Sequence, residues 1–302
     1  MLKLYEVFDI GGSSVKASVM DEEGKILNNE KIAIAQDIDG FFENLANTVN
    51  RNKKDYNVAG IAISAPGAVD SNTGIIGGAS AIPYIHGPNF KEVLFEKTGL
   101  KVEIENDANC AALGECWIGA GKDANDLAFV VCGSGIGGAI VKDNRIHKGI
   151  HKHGGEFGYC IVDYDADSKD EKYLSWSKAG STAALANNIA NRKGLKEGCI
   201  DGLKAFELFN AGDKIAIEEV EKYYRYMAIG VYNIQYTYDP EVIILGGAIC
   251  EIDDYIPSIE KYIDELMDNN EGKIRPVIRR CMYGNDANKI GALYHFITSN
   301  VE

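Results

Sequence analysis

The sequence predicts an α/β protein of two lobes, each built on a mixed sheet flanked by helices, the second sheet a duplicate of the first. Two short glycine-rich turns, Asp9-Ile10-Gly11-Gly12-Ser13-Ser14 and Cys132-Gly133-Ser134-Gly135-Ile136-Gly137-Gly138, each lie between β-rich runs. The strand–turn–strand pattern that opens the chain returns from position 127: aligning Gly12-Ser13 with Gly133-Ser134 gives an offset of 121, and the same offset sets Asp21 against Lys142. Between the two turns stands the acidic tripeptide Glu105-Asn106-Asp107. Duplicated strand–turn–strand units are expected to present their turns to one ligand from opposite sides, with the cleft between them as the site.

The elements follow in order. Leu4–Asp9, Val15–Asp21 and Ile26–Ile34 read as a three-strand meander, with Glu22-Glu23-Gly24-Lys25 as the second turn. An amphipathic helix at about Gly40–Asn52 aligns Phe41, Leu45, Thr48 and Val49 on one face. A buried strand Val58–Ser64, a helix near Asn89–Lys97, a strand Lys101–Glu105 and a helix Asp107–Trp117 complete a βββαβαβα order, which means a mixed sheet with helices on its faces. From Leu127–Val131 the chain enters the second glycine turn, then Ala139–Val141 and the tight turn Lys142-Asp143-Asn144-Arg145. A long helix from Asp213 to Tyr238 repeats Ile217, Val220, Tyr224, Met227, Val231 and Ile234 at three- and four-residue steps, a core-packing stripe. Strand Val242–Leu245 runs into Gly246-Gly247-Ala248, and a last helix covers Ala287–Thr298.

With 302 residues, 46% of them hydrophobic, the chain can bury one large core or two ordinary ones. Its 31 Lys and Arg against 45 Asp and Glu give a formal charge of −14, which repels nucleic-acid phosphates and anionic lipid, so neither partner is expected. No apolar stretch reaches the roughly 18 residues of a membrane span, and the first residues lack the apolar core of a signal peptide, so a cytoplasmic protein is expected. The seven cysteines are scattered, odd in number and nowhere paired as Cys-x-x-Cys; they read as reduced thiols, mostly buried.

Asp9 closes a strand, and Gly11 and Gly12 let backbone N–H groups approach an anion, so Asp9–Lys16 suits a phosphate; an ordinary β-hairpin with an aspartate at its bend would also account for it. Gly133–Gly138 is denser, four glycines in six positions, which packing alone seldom explains. A strand follows it where a Rossmann fingerprint would have a helix, which disfavours a dinucleotide site. Glu105-Asn106-Asp107-Ala108-Asn109 opens a helix. A plain N-cap needs one such residue, not three, whereas a kinase needs a carboxylate within reach of the acceptor hydroxyl, the role that Asp107 fits. Ser64-Ala65-Pro66-Gly67-Ala68-Val69-Asp70 and Gly154-Gly155-Glu156-Phe157-Gly158-Tyr159 are two loops that suit the hydroxyls of a polyol, although each alone is more often just a turn. His151 and His153 beside the second loop read as surface residues.

In this order the motifs resemble the ROK family of sugar kinases and repressors over nearly the whole chain. The family's first phosphate motif is similar to Asp9–Lys16, its Pro-Gly-x-Val-Asp turn to Pro66–Asp70, its Glu-Asn-Asp-Ala-Asn motif to residues 105–109, its second phosphate motif to Gly133–Gly138, and its adenosine-side motif to Asp239–Gly247. The resemblance implies an actin-like, ribonuclease-H-like two-lobe ATPase fold, with residues 1–117 and 286–302 in one lobe and 118–285 in the other. It implies an ATP:hexose 6-phosphotransferase that uses ATP with Mg²⁺, and a homodimer. Asp107 would deprotonate the sugar's 6-hydroxyl, while Pro66, Gly67, Asn106, Glu156 and Tyr159 would line the sugar. Gly11, Gly12, Ser13, Lys16, Gly133, Ser134, Gly135, Gly137, Gly246 and Gly247 would hold the nucleotide, and Asp9 would act on the magnesium-bound phosphates indirectly.

The chain departs from the family in one connected region. The usual Gly-Glu-x-Gly-His ends in Tyr159, and the cysteine cluster that normally follows is absent from Ile161–Ser181, so no structural zinc is expected. A second sugar-contacting glutamate gives way near Leu174-Ser175-Trp176-Ser177. A shorter side chain there would open room beside the anomeric carbon, which points to a glucoside such as cellobiose as acceptor alongside glucose and N-acetylmannosamine. Two other classes share the architecture. A sugar-sensing transcriptional regulator is expected to carry a DNA-binding domain, for which no space precedes Asp9. A chaperone- or filament-type ATPase would turn over ATP without sugar.

Overall fold

The computed structural model describes residues 2–166 and 172–300. Two compact units emerge, one formed by residues 1–119 with 285–302, the other by 120–284.

In the first unit, β1 (Leu4–Ile10), β2 (Ser14–Asp21) and β3 (Ile26–Ala33) form the meander, followed by α1 (Ile38–Asp55) and β4 (Val58–Ala65). A small hairpin, β5 (Ala68–Asp70) and β6 (Ile75–Gly77), precedes α2 (Phe90–Thr98), β7 (Val102–Asn106) and α3 (Asp107–Trp117). The sheet order is β3-β2-β1-β4-β7, antiparallel through the meander and parallel from β1 to β7. The Asp37 side chain caps α1 by accepting the Gly40 N–H, and Phe41, Leu45, Thr48 and Val49 are buried as their spacing requires. Phe8, Ile10, Ile61, Ile63, Phe41, Leu45 and Phe90 belong to one apolar core.

The second unit repeats the plan. β8 (Leu127–Cys132), β9 (Ile136–Lys142) and β10 (Arg145–Ile146) form a second meander, and a hairpin of β11 (Ile161–Tyr164) and β12 (Tyr173–Ser175) leads to α4 (Trp176–Gly180), α5 (Thr182–Arg192), α6 (Gly202–Asn210) and α7 (Lys214–Tyr238). Then come β13 (Val242–Gly246), α8 (Tyr255–Asn269) and β14 (Ile278–Arg280). Its order, β10-β9-β8-β13-β14, has the same succession of antiparallel and parallel neighbours as the first sheet. β9 starts at Ile136, earlier than its sequence indicates: Gly137 and Gly138 pair with Val131 and Val130, so the open turn is confined to Gly133–Gly135. Along α7, Val220, Tyr224, Met227, Val231 and Ile234 are buried, while Ile217 is half-buried at the start of the stripe.

The chain then returns to the first unit as α9 (Ala287–Ser299), which packs against α3 at backbone distance. A Cβ added at Gly291 would lie 1.6 Å from the Cys110 carbonyl oxygen, and one at Gly114 would lie 2.5 Å from the Ala287 oxygen. Glycine at both positions is what lets the helices touch. Among the described residues no helix is long and apolar enough to cross a membrane.

One buried group in this unit is electrostatically uncomfortable. Glu6 is fully buried, its Oε2 accepts from Asn52 Nδ2 at 2.9 Å, and its Oε1 has no hydrogen-bond partner. Burial, opposed by the Asn52 bond, pushes its carboxyl up from the ordinary 4.5 to about 7. The folded state therefore holds this proton more tightly than the unfolded chain, so stability is greatest below pH 4.5 and falls as pH rises toward 7, by up to about 3 kcal/mol. Glu6→Gln should raise the urea midpoint above pH 7 and flatten its pH dependence between 5 and 7; a variant less stable at pH 8 would contradict the assignment. Gly291→Ala tests the helix contact by sign: alanine ordinarily stabilises a helix interior by about 0.5–1 kcal/mol, whereas here a loss of about 3 kcal/mol or more is expected in urea denaturation.

Candidate active site

The first unit gathers four polar side chains at the carboxyl ends of its parallel strands. Asp9, on β1, is only 5% exposed. Its Oδ1 accepts from Ser64 Oγ at the end of β4 and from Asn288 Nδ2 in the first turn of α9, each at 3.1 Å, and its Oδ2 pairs with Lys16 Nζ on β2 at 3.2 Å. The turn after Asp9 is closed by Gly11 N–H donating to Ser14 O at 3.0 Å, leaving Gly12 and Ser13 exposed.

Asp107 is the first residue of α3. Asn106 before it is the N-cap: its Oδ1 accepts from the Ala108 and Asn109 N–H groups, and its Nδ2 donates to Gly67 O and to Asp107 Oδ1, both at 3.0 Å. Asp107 Oδ1 also accepts from Ala108 N–H at 2.9 Å. Glu105 holds the turn from beneath, its Oε1 taking the Asn106 N–H at 2.8 Å and Asn109 Nδ2 at 2.9 Å. All three members of the acidic tripeptide are thus occupied, the amide as cap and bridge, Glu105 as brace, and Asp107 as the partly buried carboxylate that the amide and the Ala108 N–H hold at the helix start. Desolvation by burial raises the Asp107 pKa, and the Asp9 charge adds to that, against the hydrogen bonds that favour the ionised form.

Gly67, after Pro66, has φ +92°, and a Cβ there would meet Gly77 O at 2.9 Å, so only glycine turns β4 into the β5–β6 hairpin. This fixes the carbonyl that receives Asn106. A segment that the sequence did not single out lies against both turns: the Ala81 side chain is 3.0 Å from the Cβ position of Gly12, and His86 Cε1 is 3.3 Å from that of Gly67. Ser80 Oγ and His86 Nε2 are hydrogen-bonded at 2.9 Å.

In the second unit the Gly133 N–H donates to Gly135 O at 2.9 Å, shaping the turn around an exposed Ser134. Gly247, with φ +104°, brings its backbone against the residue preceding that turn: a Cβ would fall 2.0 Å from Cys132 O. Gly246 ends β13, paired with Val131. The Asp239–Gly247 motif and the second phosphate turn therefore meet through main chain alone. Glu156 and Tyr159 flank a short 3₁₀ turn and are both exposed, as are His151 and His153. Behind Tyr159, Trp176 N–H donates to Cys160 O at 2.7 Å, and Tyr226 OH donates to Asp163 Oδ2 at 2.6 Å, so the hairpin that follows is fastened to α4 and α7. Ser175 pairs with Ile161 across that hairpin. Of the cysteines, Cys110, Cys116, Cys132 and Cys250 are buried and Cys160 and Cys199 are exposed. Among the described residues no three His, Cys, Asp or Glu are grouped so as to hold a metal ion.

Ser64 and Asn288 were not singled out from the sequence. Ser64 stands two residues before Pro66, a local signal, but Asn288 lies 279 residues from Asp9 and no spacing rule connects them.

The family model for ROK proteins matches residues 5–299. The chain belongs to the ROK family. It is 34% identical over 293 residues to a beta-glucoside kinase of Listeria innocua, covering 96% of each chain. A ROK family protein of Streptococcus pneumoniae, solved in complex with sucrose, superposes with TM-score 0.87 and 36% identity over 97% of this chain and 98% of that one. A ROK family glucokinase of Streptomyces griseus, solved with glucose and AMPPNP, gives TM-score 0.76 and 26% identity over 96% and 98%. The neighbours share the actin-like arrangement of mixed sheets flanked by helices that the motif order indicates.

Proposed function

We propose that this ROK protein is an ATP-dependent sugar kinase that transfers the γ-phosphoryl group to the 6-hydroxyl of a hexose or hexoside. The observation that carries the reading is the placement of Asp107: a carboxylate at a helix start, held by Asn106 and by the Ala108 N–H, beside a second buried carboxylate on Asp9. As the sugar oxygen bonds to the γ-phosphorus and the bond to the ADP oxygen breaks, the hydroxyl proton passes to the ionised Asp107 carboxylate. Little covalent work falls to the protein in such a transfer, so positioning and charge dominate. The turns at Gly12–Ser13 and Ser134–Gly135 supply backbone donors for phosphates, and Lys16 adds a cation.

Magnesium would arrive bound to ATP and neutralise phosphate charge. Asp9 suits an indirect hold on it. Its Oδ1 is committed to Ser64 and Asn288, and its Oδ2 shares only Lys16, which is 41% exposed and free to turn to the nucleotide. Asn106, Glu156 and Tyr159 are assigned to the sugar.

A glucoside as acceptor is the finer reading. The relatives support it, since one is a beta-glucoside kinase and another was solved with a disaccharide. The residues add a serine at 175, one strand away from the loop of Tyr159, where a carboxylate would crowd the anomeric side.

Asp107→Asn should lower kcat by about 10²–10⁴-fold with little change in ATP affinity. Because folding already favours the neutral acid at this position, the same variant should keep or slightly raise Tm; near-normal turnover would show that the base is elsewhere. Activity of the unaltered protein depends on ionised Asp107, so kcat/KM should fall with decreasing pH at a value above the ordinary aspartate range. ADP release measured with cellobiose, glucose and N-acetylmannosamine decides the acceptor, and a clear preference for free glucose would reject the glucoside.

A further inference from the structure

The second phosphate turn is held at both feet by side chains from the helices beside it. At the first foot, Gly133 O accepts two hydrogen bonds from a single residue, the Thr182 N–H at 3.0 Å and Thr182 Oγ1 at 2.6 Å, at the N-terminus of α5. At the second foot, Ser177 Oγ on α4 accepts the Ile136 N–H at 2.9 Å and donates to Ile136 O at 3.2 Å. Between them, among the described residues, the N–H groups of Ser134 and Gly135 have no partner.

The direction of these donors follows from the first anchor. In a trans peptide the carbonyl and the N–H of one unit point in opposite directions, and Gly133 C=O shares its unit with Ser134 N–H. Two bonds that draw the Gly133 carbonyl into α5 therefore turn the Ser134 N–H away from it, out of the turn. A free glycine-rich turn would rotate this peptide at little cost, so the threonine removes the freedom that the glycines introduce. Ser177 adds a second constraint. It follows Trp176, which sits in the apolar core of this unit, and it touches the sugar-side loop: a Cβ on Gly158 would lie 2.2 Å from Ile136 O and 2.3 Å from Ser177 Oγ. One hydroxyl thus fixes the end of the phosphate turn and seats the loop carrying Glu156 and Tyr159.

We propose that Thr182 and Ser177 are positioning residues of the nucleotide site, Thr182 aiming the Ser134 N–H at an ATP phosphate and Ser177 tying the phosphate turn to the sugar-reading loop. The proposal rests on the sugar-kinase reading, and the two residues are separable by their kinetic signatures. On the full chain, MgATP affinity is measured by calorimetry without sugar, and KM for MgATP and for cellobiose or glucose, kcat and Tm are measured in parallel. Thr182→Val keeps shape and removes the hydroxyl; it should weaken MgATP binding about five- to tenfold while the sugar KM and kcat hold, and Thr182→Ser should restore binding. Ser177→Ala should raise both KM values. Thr182→Val that binds MgATP like the unaltered protein overturns the proposal alone, as does equal weakening by Val and Ser accompanied by a fall in Tm. An unaltered protein that binds no MgATP overturns this proposal and the kinase reading together.

Discussion

The first unit depends on a contact that only two glycines permit, the backbone crossing of α3 and α9 at Gly114 and Gly291. Helices usually keep 8–10 Å between axes because side chains intervene. Removing the side chain lets α9 lie where Asn288 reaches Asp9 while α3 starts at Asp107. The two carboxylates that the proposed chemistry requires are thus fixed by one packing event, and after burial the Asp9 charge is one reason that Asp107 resists ionisation.

The same logic of main chain brought close to main chain recurs in the second unit at Gly247, where the adenosine-side motif abuts the Cys132 carbonyl. Both sheets place their open turn between the first two strands of a meander. A strand pair whose turn carries no bulky side chain offers amide hydrogens to an anion without needing a basic residue. Under the proposed function this suits a chain of formal charge −14, whose net field opposes phosphate.

Much of this was legible because local rules and tertiary structure agree. The strands and turns of the opening meander, the stripe along α7 and the helix opened by Asn106-Asp107 are each decided within a few residues, and all form where the pattern puts them. Asn106 is the cap that a residue of its type at a helix start leads one to expect, and it opens the helix on which Asp107 sits. What escaped the sequence depends on distant partners. The strands of the β5–β6 hairpin and β14 have three residues each, too short for periodicity to register. Gly137 and Gly138 lower strand propensity, yet pairing with Val131 and Val130 draws them into β9. Ser64 and Asn288 converge on Asp9 from a strand end and a helix start; Ser64 opens a loop that the sequence marks, but its bond to Asp9 and the whole role of Asn288 appear only once the chain has folded.

The division of the chain has a bearing on how it is made. The first unit is discontinuous, its last helix encoded after the whole of the second unit. Within that helix Lys289 is wholly buried, its ammonium bonded to Ser18 Oγ at 3.1 Å and Asn29 Oδ1 at 3.3 Å, with Asp286 at 2.9 Å. Such a charge is tolerated only where all its partners wait in register, because an unmatched buried cation is heavily penalised. During translation, then, the second unit has every strand of its sheet before the first can close. The N-terminal meander must stand open along one face until a late-emerging helix arrives and, through a single lysine, verifies that β2 and β3 are correctly aligned.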